Sequence, residues 1–254
     1  LHRLHRHEKY DKETRARELK LENKDVSRIP FSVYDFFGYL VPGFLFVAVM
    51  DFALVGTIAG ERWVLRDDLG VVYGLTWTVV AYIIGHVLSS PSEWLLQEKI
   101  VRNWLKSPAI NLFNDHQRKS GRFLLFSGYY KPLPSPIRKR ILEKAKAEGI
   151  NETGEALFYH AWGKVKKDQD AMARLYIFLY LYGFSRNVSF ACALASLVIV
   201  AGCLVEGSWG NLIWAFVSLF AAVGMLYRYL KFYRLYSVDV FIVYDEMPPQ
   251  EGAR

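Results

Sequence analysis

Four long apolar blocks constrain this chain more than any other feature. They run from about Phe37 to Ala59, Leu69 to Ser90, Val188 to Val205 and Trp209 to Leu230, with strongly charged segments before, between and after them. Each is close to the roughly 20 residues that a helix needs to cross the hydrocarbon core of a bilayer. As soluble surface helices they would carry Leu, Ile, Val and Phe around the whole circumference, with no polar face to turn to water. The alternative, a soluble bundle of unusually apolar helices, fails on that point. The hydrophobic share, 52%, exceeds the roughly 45–50% usual for soluble domains, and it is blocky rather than spread at helical or strand period. The expected fold class is an all-α membrane protein of four transmembrane helices, with a helical cytoplasmic insertion between spans two and three.

The basic residues are sorted. Of 32 Lys and Arg, 30 lie in the N-terminal segment, in residues 91–187 and from residue 228 on, and two (Arg62 and Arg66) lie in the loop between the first two blocks. The positive-inside rule therefore predicts cytoplasmic termini and a cytoplasmic middle segment. Tyr39, Trp63, Tyr73, Trp209, Tyr227 and Tyr229 fall near block ends, where amphipathic rings favour the headgroup layer. Cys192 and Cys203 share the third block. On one helix they stand roughly 16 Å apart at about 1.5 Å per residue, too far for a disulfide.

Five segments follow: a charged cytoplasmic helix over residues 1–30, spans one and two over 31–90, a basic helical domain over 91–187, spans three and four over 188–230, and a cytoplasmic C-terminal segment over 231–254. Glu8 with Lys12, Asp11 with Arg15 and Glu13 with Arg17 support the first helix by pairing at i,i+4. Ser90, Pro91 and Glu93 read as the start of a helix with Trp94, Leu95, Ile100, Val101 and Leu105 on its buried face. Ser135–Pro136 give the same signal for a second helix. A third is expected over Glu155–Lys167, burying Leu157, Phe158, Ala161, Trp162 and Val165. The stretch between the first two reads as loop, with an extended piece at Phe123–Phe126. Leu175–Phe184 is apolar but too short to span, and is expected at the interface or inside an assembly.

Ionisable residues inside spans are functional candidates by default. These are Asp51 in span one, His86 in span two and Glu206 at the outer end of span three, read as pore-lining or intramembrane polar groups. At ~1.5 Å per residue, His86 lies about 6 Å from the inner face and Asp51 about 21 Å, so they are not partners. For His86 the plainer role is a hydrogen bond to a neighbouring helix. No catalytic motif, no metal-ligand spacing and no polar cluster at one depth is visible, so no enzymatic activity, metal or cofactor is expected. Gly70, Gly74 and Thr78 recur every four residues, a spacing that permits close helix contact in lipid, within one chain or between copies.

Residues 91–187 carry 17 basic and 9 acidic side chains. Arg138, Lys139, Arg140, Lys144, Lys164, Lys166 and Lys167, with Tyr130 as a stacking ring, are the candidate ligand-binding face. Their charge suits anionic lipid headgroups or, alternatively, an anionic nucleotide or single-stranded oligonucleotide.

Tyr34–Gly43 (YDFFGYLVPG), Gly85–His86, Gly183–Asn187 (GFSRN) and Arg228–Arg234 (RYLKFYR) together resemble a group of bacterial four-span membrane proteins from anti-phage defence systems, the Hailong-type pore-forming effector being the nearest comparison. The resemblance implies a homo-oligomeric, ion-permeable pore in the bacterial inner membrane, gated by a nucleotide-derived ligand or a DNA oligomer at the basic cytoplasmic domain. A different class also fits the residues: a membrane anchor or adaptor whose charged N-terminal helix recruits a soluble cytoplasmic partner.

Overall fold

The computed structural model describes residues 36–55, 70–114, 125–207 and 209–248. The charged helix expected over residues 1–30 and the loop holding Trp63 lie outside the described residues, as does the first half of the Phe123–Phe126 piece. Every regular element among the described residues is helical.

Helix α1 opens with a π turn at Phe36–Leu40, continues as an α-helix over Val41–Met50 and closes with a second π turn at Asp51–Val55. Helix α2 spans Val71–Ser92 and widens into a π-helical extension over Glu93–Leu105. A short α3 covers Pro108–Asn111, α4 Ser135–Ala147 and α5 Glu155–Val165. Helix α6 runs over Gln169–Glu206 and, after a 3₁₀ turn at Trp209–Asn211, α7 runs over Leu212–Glu246.

Three helices, α2, α6 and α7, are long and apolar enough to cross a membrane, while the apolar run of α1, Gly38–Ala53, is shorter. Helix α6 is the central one: 56% of its most apolar stretch is buried in the chain, against 17% for α2 and 11% for α7. The outer face of α2 is a stripe of Val72, Leu75, Val79, Ile83 and Val87, and that of α7 is lined by Ile213, Phe216, Phe220 and Val223, all exposed. Apolar faces of this extent have no stable place in water.

The seam between α1 and α2 consists of backbone on backbone. A side chain at Gly43 would occupy the space of the Ala81 carbonyl, and one at Gly85 that of the Tyr39 carbonyl. A Cβ at Gly202 of α6 would stand 2.9 Å from the Ala53 carbonyl oxygen. Glycine is required at the first two positions because only a missing side chain lets the chains approach so closely. At the expected small-residue face no such contact forms with the described part of the chain: a Cβ at Gly70 or Gly74 would meet nothing within 4 Å, and Thr78 spends its hydroxyl on the Gly74 carbonyl, 2.9 Å away. The packed face of α2 is Ala81, Gly85, Leu88 and Ser92.

Both long helices exceed a bilayer core. At about 1.5 Å per residue α6 is roughly 57 Å long and α7 roughly 52 Å, against about 30 Å of hydrocarbon. Their excess ends pack with α3, α4 and α5 into a helical body. Its core joins Leu112, Ile141, Leu157, Ala161 and Val165 to Leu175 of α6 and to Val240, Phe241 and Tyr244 of α7. Residues 236–246, the end of α7, therefore belong to this body, and Leu175–Phe184 lies within the first half of α6. Cys192 and Cys203 are buried and free.

Three local expectations need correction. Pro91 lies inside α2 rather than at a helix start. Past it Val101 and Leu105 are buried as expected, but Leu96 joins them in place of Trp94, which is 58% exposed, and Leu95; spacings of five and four follow the wider π turn. Tyr229, expected as an interface anchor, is fully buried and packs against Tyr182 and Tyr233. Of the expected extended piece, Leu125 and Phe126 lie in a helical turn rather than in extended chain.

Candidate functional site

Two polar constellations emerge, one in the helical body and one where α1, α2 and α6 meet. In the body, a cavity of about 420 Å³ is lined by Lys144 and Glu148 from α4 and its C-cap, Lys164, Lys167 and Asp168 from the α5–α6 junction, and Tyr244, Met247 and Pro248 from the end of α7. Sequence spacing explains the assembly. Arg140, Lys144 and Glu148 recur every four residues, so one face of α4 carries all three, and that face lies along the end of α7.

Each member has a defined role. Arg140 donates from Nε (3.0 Å) and Nη2 (2.6 Å) to Asp245 Oδ2. The Lys144 ammonium donates to the backbone carbonyls of Tyr244 and Met247 and sits 4.8 Å above the Tyr244 ring. These carbonyls belong to the last turn of α7, which has no further helical donors for them. Glu148 Oε2 accepts from the Tyr244 hydroxyl (2.9 Å), lies 2.6 Å from His160 Nε2 and 3.5 Å from the Lys164 ammonium. Asp168 caps α6, accepting from the amides of Asp170 (3.0 Å) and Ala171 (3.1 Å).

The electrostatics separate acid from base. Burial works against ionisation of Glu148, yet the hydrogen bonds from His160 and Tyr244 and the Lys164 charge outweigh it and hold the carboxyl below its usual range. Lys144 is pushed below the ordinary lysine value by burial, which Glu148 and Asp245 counter and Lys164 reinforces. Its direct partners are neutral carbonyls. The cavity thus holds a partly desolvated ammonium that no carboxylate of the described residues touches.

Of the basic residues singled out in the sequence, Lys144, Lys164 and Lys167 come together here, with Arg140 alongside. Lys139 pairs with Glu143 at 3.8 Å on the open side of α4, and Arg138 is half-exposed on the same helix. Lys166 lies over the Trp162 ring at 5.2 Å. Tyr130 is buried beside Tyr129 in a separate apolar cluster, away from these lysines.

The second constellation was not visible in the sequence. The Ser92 hydroxyl donates to Asn187 Oδ1 (2.7 Å), and Asn187 Nδ2 donates to the Gly38 carbonyl (2.9 Å). Arg186 donates from Nη1 to Gln97 Oε1 (2.8 Å). Ser92 and Asn187 are fully buried and Arg186 nearly so. A polar cluster at one level does exist, then, made of amides, hydroxyls and a guanidinium that satisfy one another across three helices. The signal was the pairing of Ser89–Ser92 with Arg186–Asn187, each at an end of an apolar block.

The intramembrane candidates stay apart. Asp51 is 2% exposed in the second π turn of α1. His86 is stacked on Tyr39 with centroids 3.8 Å apart and meets the edge of Tyr82 at 4.6 Å, an aromatic contact rather than the hydrogen bond expected of it. Glu206 ends α6, and its side chain lies outside the described residues. No group of three or more His, Cys, Asp or Glu suited to a metal occurs among the described residues.

These features define an all-helical chain with membrane-length helices rooted in a polar helical body. No family model, curated protein or solved structure matches it.

Proposed function

We propose that this chain is a four-span protein of a bacterial inner membrane, with both termini and the helical body in the cytoplasm. It assembles into a homo-oligomeric channel or pore-forming effector, opened by an anionic ligand held at the body's cavity. The observation that carries this reading is the course of the two longest helices. Helix α6 begins at the cavity, capped by Asp168, and α7 ends there, with Tyr244 in the wall. Each then continues unbroken into the apolar region, so a displacement at the cavity is delivered to the spans through rigid helix rather than through loops. The sorting of 30 of 32 basic residues to one side supports the orientation. In the setting implied by the resemblance, opening dissipates the membrane potential during phage infection.

Ion flux from proteoliposomes tests this reading. Loading the chain with nucleotides and short single-stranded DNA should produce a conductance that Lys167→Met shifts to higher ligand concentration; silence under every such condition would refute the channel.

A second reading has one observation in its favour. Asp51 is turned into its own chain, not towards a free surface where copies would meet around a lumen. That suits a packed, non-conducting anchor or adaptor that recruits a soluble partner through the charged N-terminal segment. Stoichiometric co-purification of a partner, lost on deleting residues 1–28, would favour it.

A further inference from the structure

The geometry points to a releasable latch: a compact phosphate-bearing anion entering the cavity takes Lys144 from the terminal carbonyls of α7 and frees the end of that helix. This rests on the reading of the cavity as an anion site and adds how occupancy is transmitted and what size of ligand fits.

Three observations converge. First, the end of α7 is held from one face of α4, by Arg140 on Asp245, by Lys144 on the carbonyls of Tyr244 and Met247, and by Glu148 on the Tyr244 hydroxyl. Second, these holds are unequal. The acids already have dedicated partners, Glu148 in Tyr244, His160 and Lys164, and Asp168 in the α6 amides. Lys144 alone of the three α4 residues binds only neutral oxygens, so an arriving dianion offers it a stronger, charge-assisted partner. Third, a cavity of about 420 Å³ lies near the lower end of the range for small-molecule sites, about 300–1,000 Å³, which suits a phosphorylated small molecule rather than an extended oligonucleotide.

When Lys144 changes partner, the last carbonyls of α7 lose their donor and the final turn frays. The backbone bond from the Met247 amide to the Val243 carbonyl, 3.1 Å, is the first to report it.

Hydrogen exchange on the full chain in detergent, with and without inorganic pyrophosphate, tests the latch. Pyrophosphate should bind, and amide exchange over residues 244–247 should rise about tenfold on binding, since a helix-terminal charge acts within the last turn. Lys144→Met should show the faster exchange without ligand and no further rise. Lys167→Met, at the exposed rim, should weaken binding about tenfold while leaving ligand-free exchange unchanged. Absence of binding, binding undiminished by both substitutions, or binding with unaltered exchange over 244–247 would each overturn the latch. The channel reading fails separately: pyrophosphate that frees α7 without ion flux sinks the channel and keeps the latch, whereas flux with a protected α7 terminus does the reverse.

Discussion

The α1–α2 crossing and the helical body solve the same problem, holding helices together, by opposite means. At the crossing, Gly43 and Gly85 let two backbones touch, and the buried Ser92–Asn187–Gly38 chain with its Arg186–Gln97 neighbour supplies polar links. In the body, large side chains such as Leu157, Phe241 and Tyr244 interlock in a core of the soluble type, and ion pairs ring the rim. The difference follows from solvent. With the crossing in a bilayer, as proposed, there is little hydrophobic gain between helices, so close approach and internal hydrogen bonds must do the work. In water, burial of apolar surface does it.

Substitutions should therefore separate the two regions. The largest effect is expected for Gly85→Leu, whose side chain has only the Tyr39 backbone to displace. It should cost at least about 3 kcal/mol and yield aggregated rather than monodisperse protein on size exclusion in detergent. A normal profile would break the claim that the crossing is backbone on backbone. Phe241→Ala should come close behind, losing about 3–5 kcal/mol from the unfolding of the body while leaving the crossing folded, as read by exchange at amides of α2. Uniform loss of protection in both regions would show that they are not distinct.

Asn187→Ala is milder, about 1–3 kcal/mol, because it takes the side-chain donor from the Gly38 carbonyl and leaves the Ser92 hydroxyl only the Ser89 carbonyl of its own helix. A thermal midpoint equal to the parent's would remove the polar chain from the account. Acidification should touch the body alone. The Glu148 carboxyl titrates below its unfolded value, so its contribution is fully present above that ordinary carboxylate value and is lost as pH falls through the lower folded one. Unfolding between pH 7 and pH 3, compared with Glu148→Gln, should reveal a slope confined to the acid end and absent from the variant. Smallest is Arg140→Ala, a slight drop in the thermal midpoint that added salt diminishes further, since its guanidinium is exposed on the surface.

The two regions also differ in how far the sequence exposes them. Apolar blocks announce the membrane-length helices, and the Ser135–Pro136 signal places the start of α4 where it is found. Periodicity predicts the buried side of α5, with Leu157, Ala161 and Val165 in the core. What escapes is long-range or geometric. Pro91 looks like a helix start because position preferences are local, whereas packing against α6 carries α2 straight through it. Nothing near Tyr229 distinguishes a buried ring from an interfacial one. The cavity joins Lys144 to Met247 across about a hundred residues, and charge counting over residues 91–187 cannot see the α7 terminus that completes it.

The central claim is that α7 is one helix with its first half in lipid and its last turns in the water-exposed body. Spin labels placed along it in liposomes at Ile213, Phe220, Lys231 and Glu246 test this most directly. The account predicts high oxygen and low nickel-chelate accessibility at the first two and the reverse at the last two. Water-soluble relaxant reaching Phe220 as readily as Glu246 would contradict it.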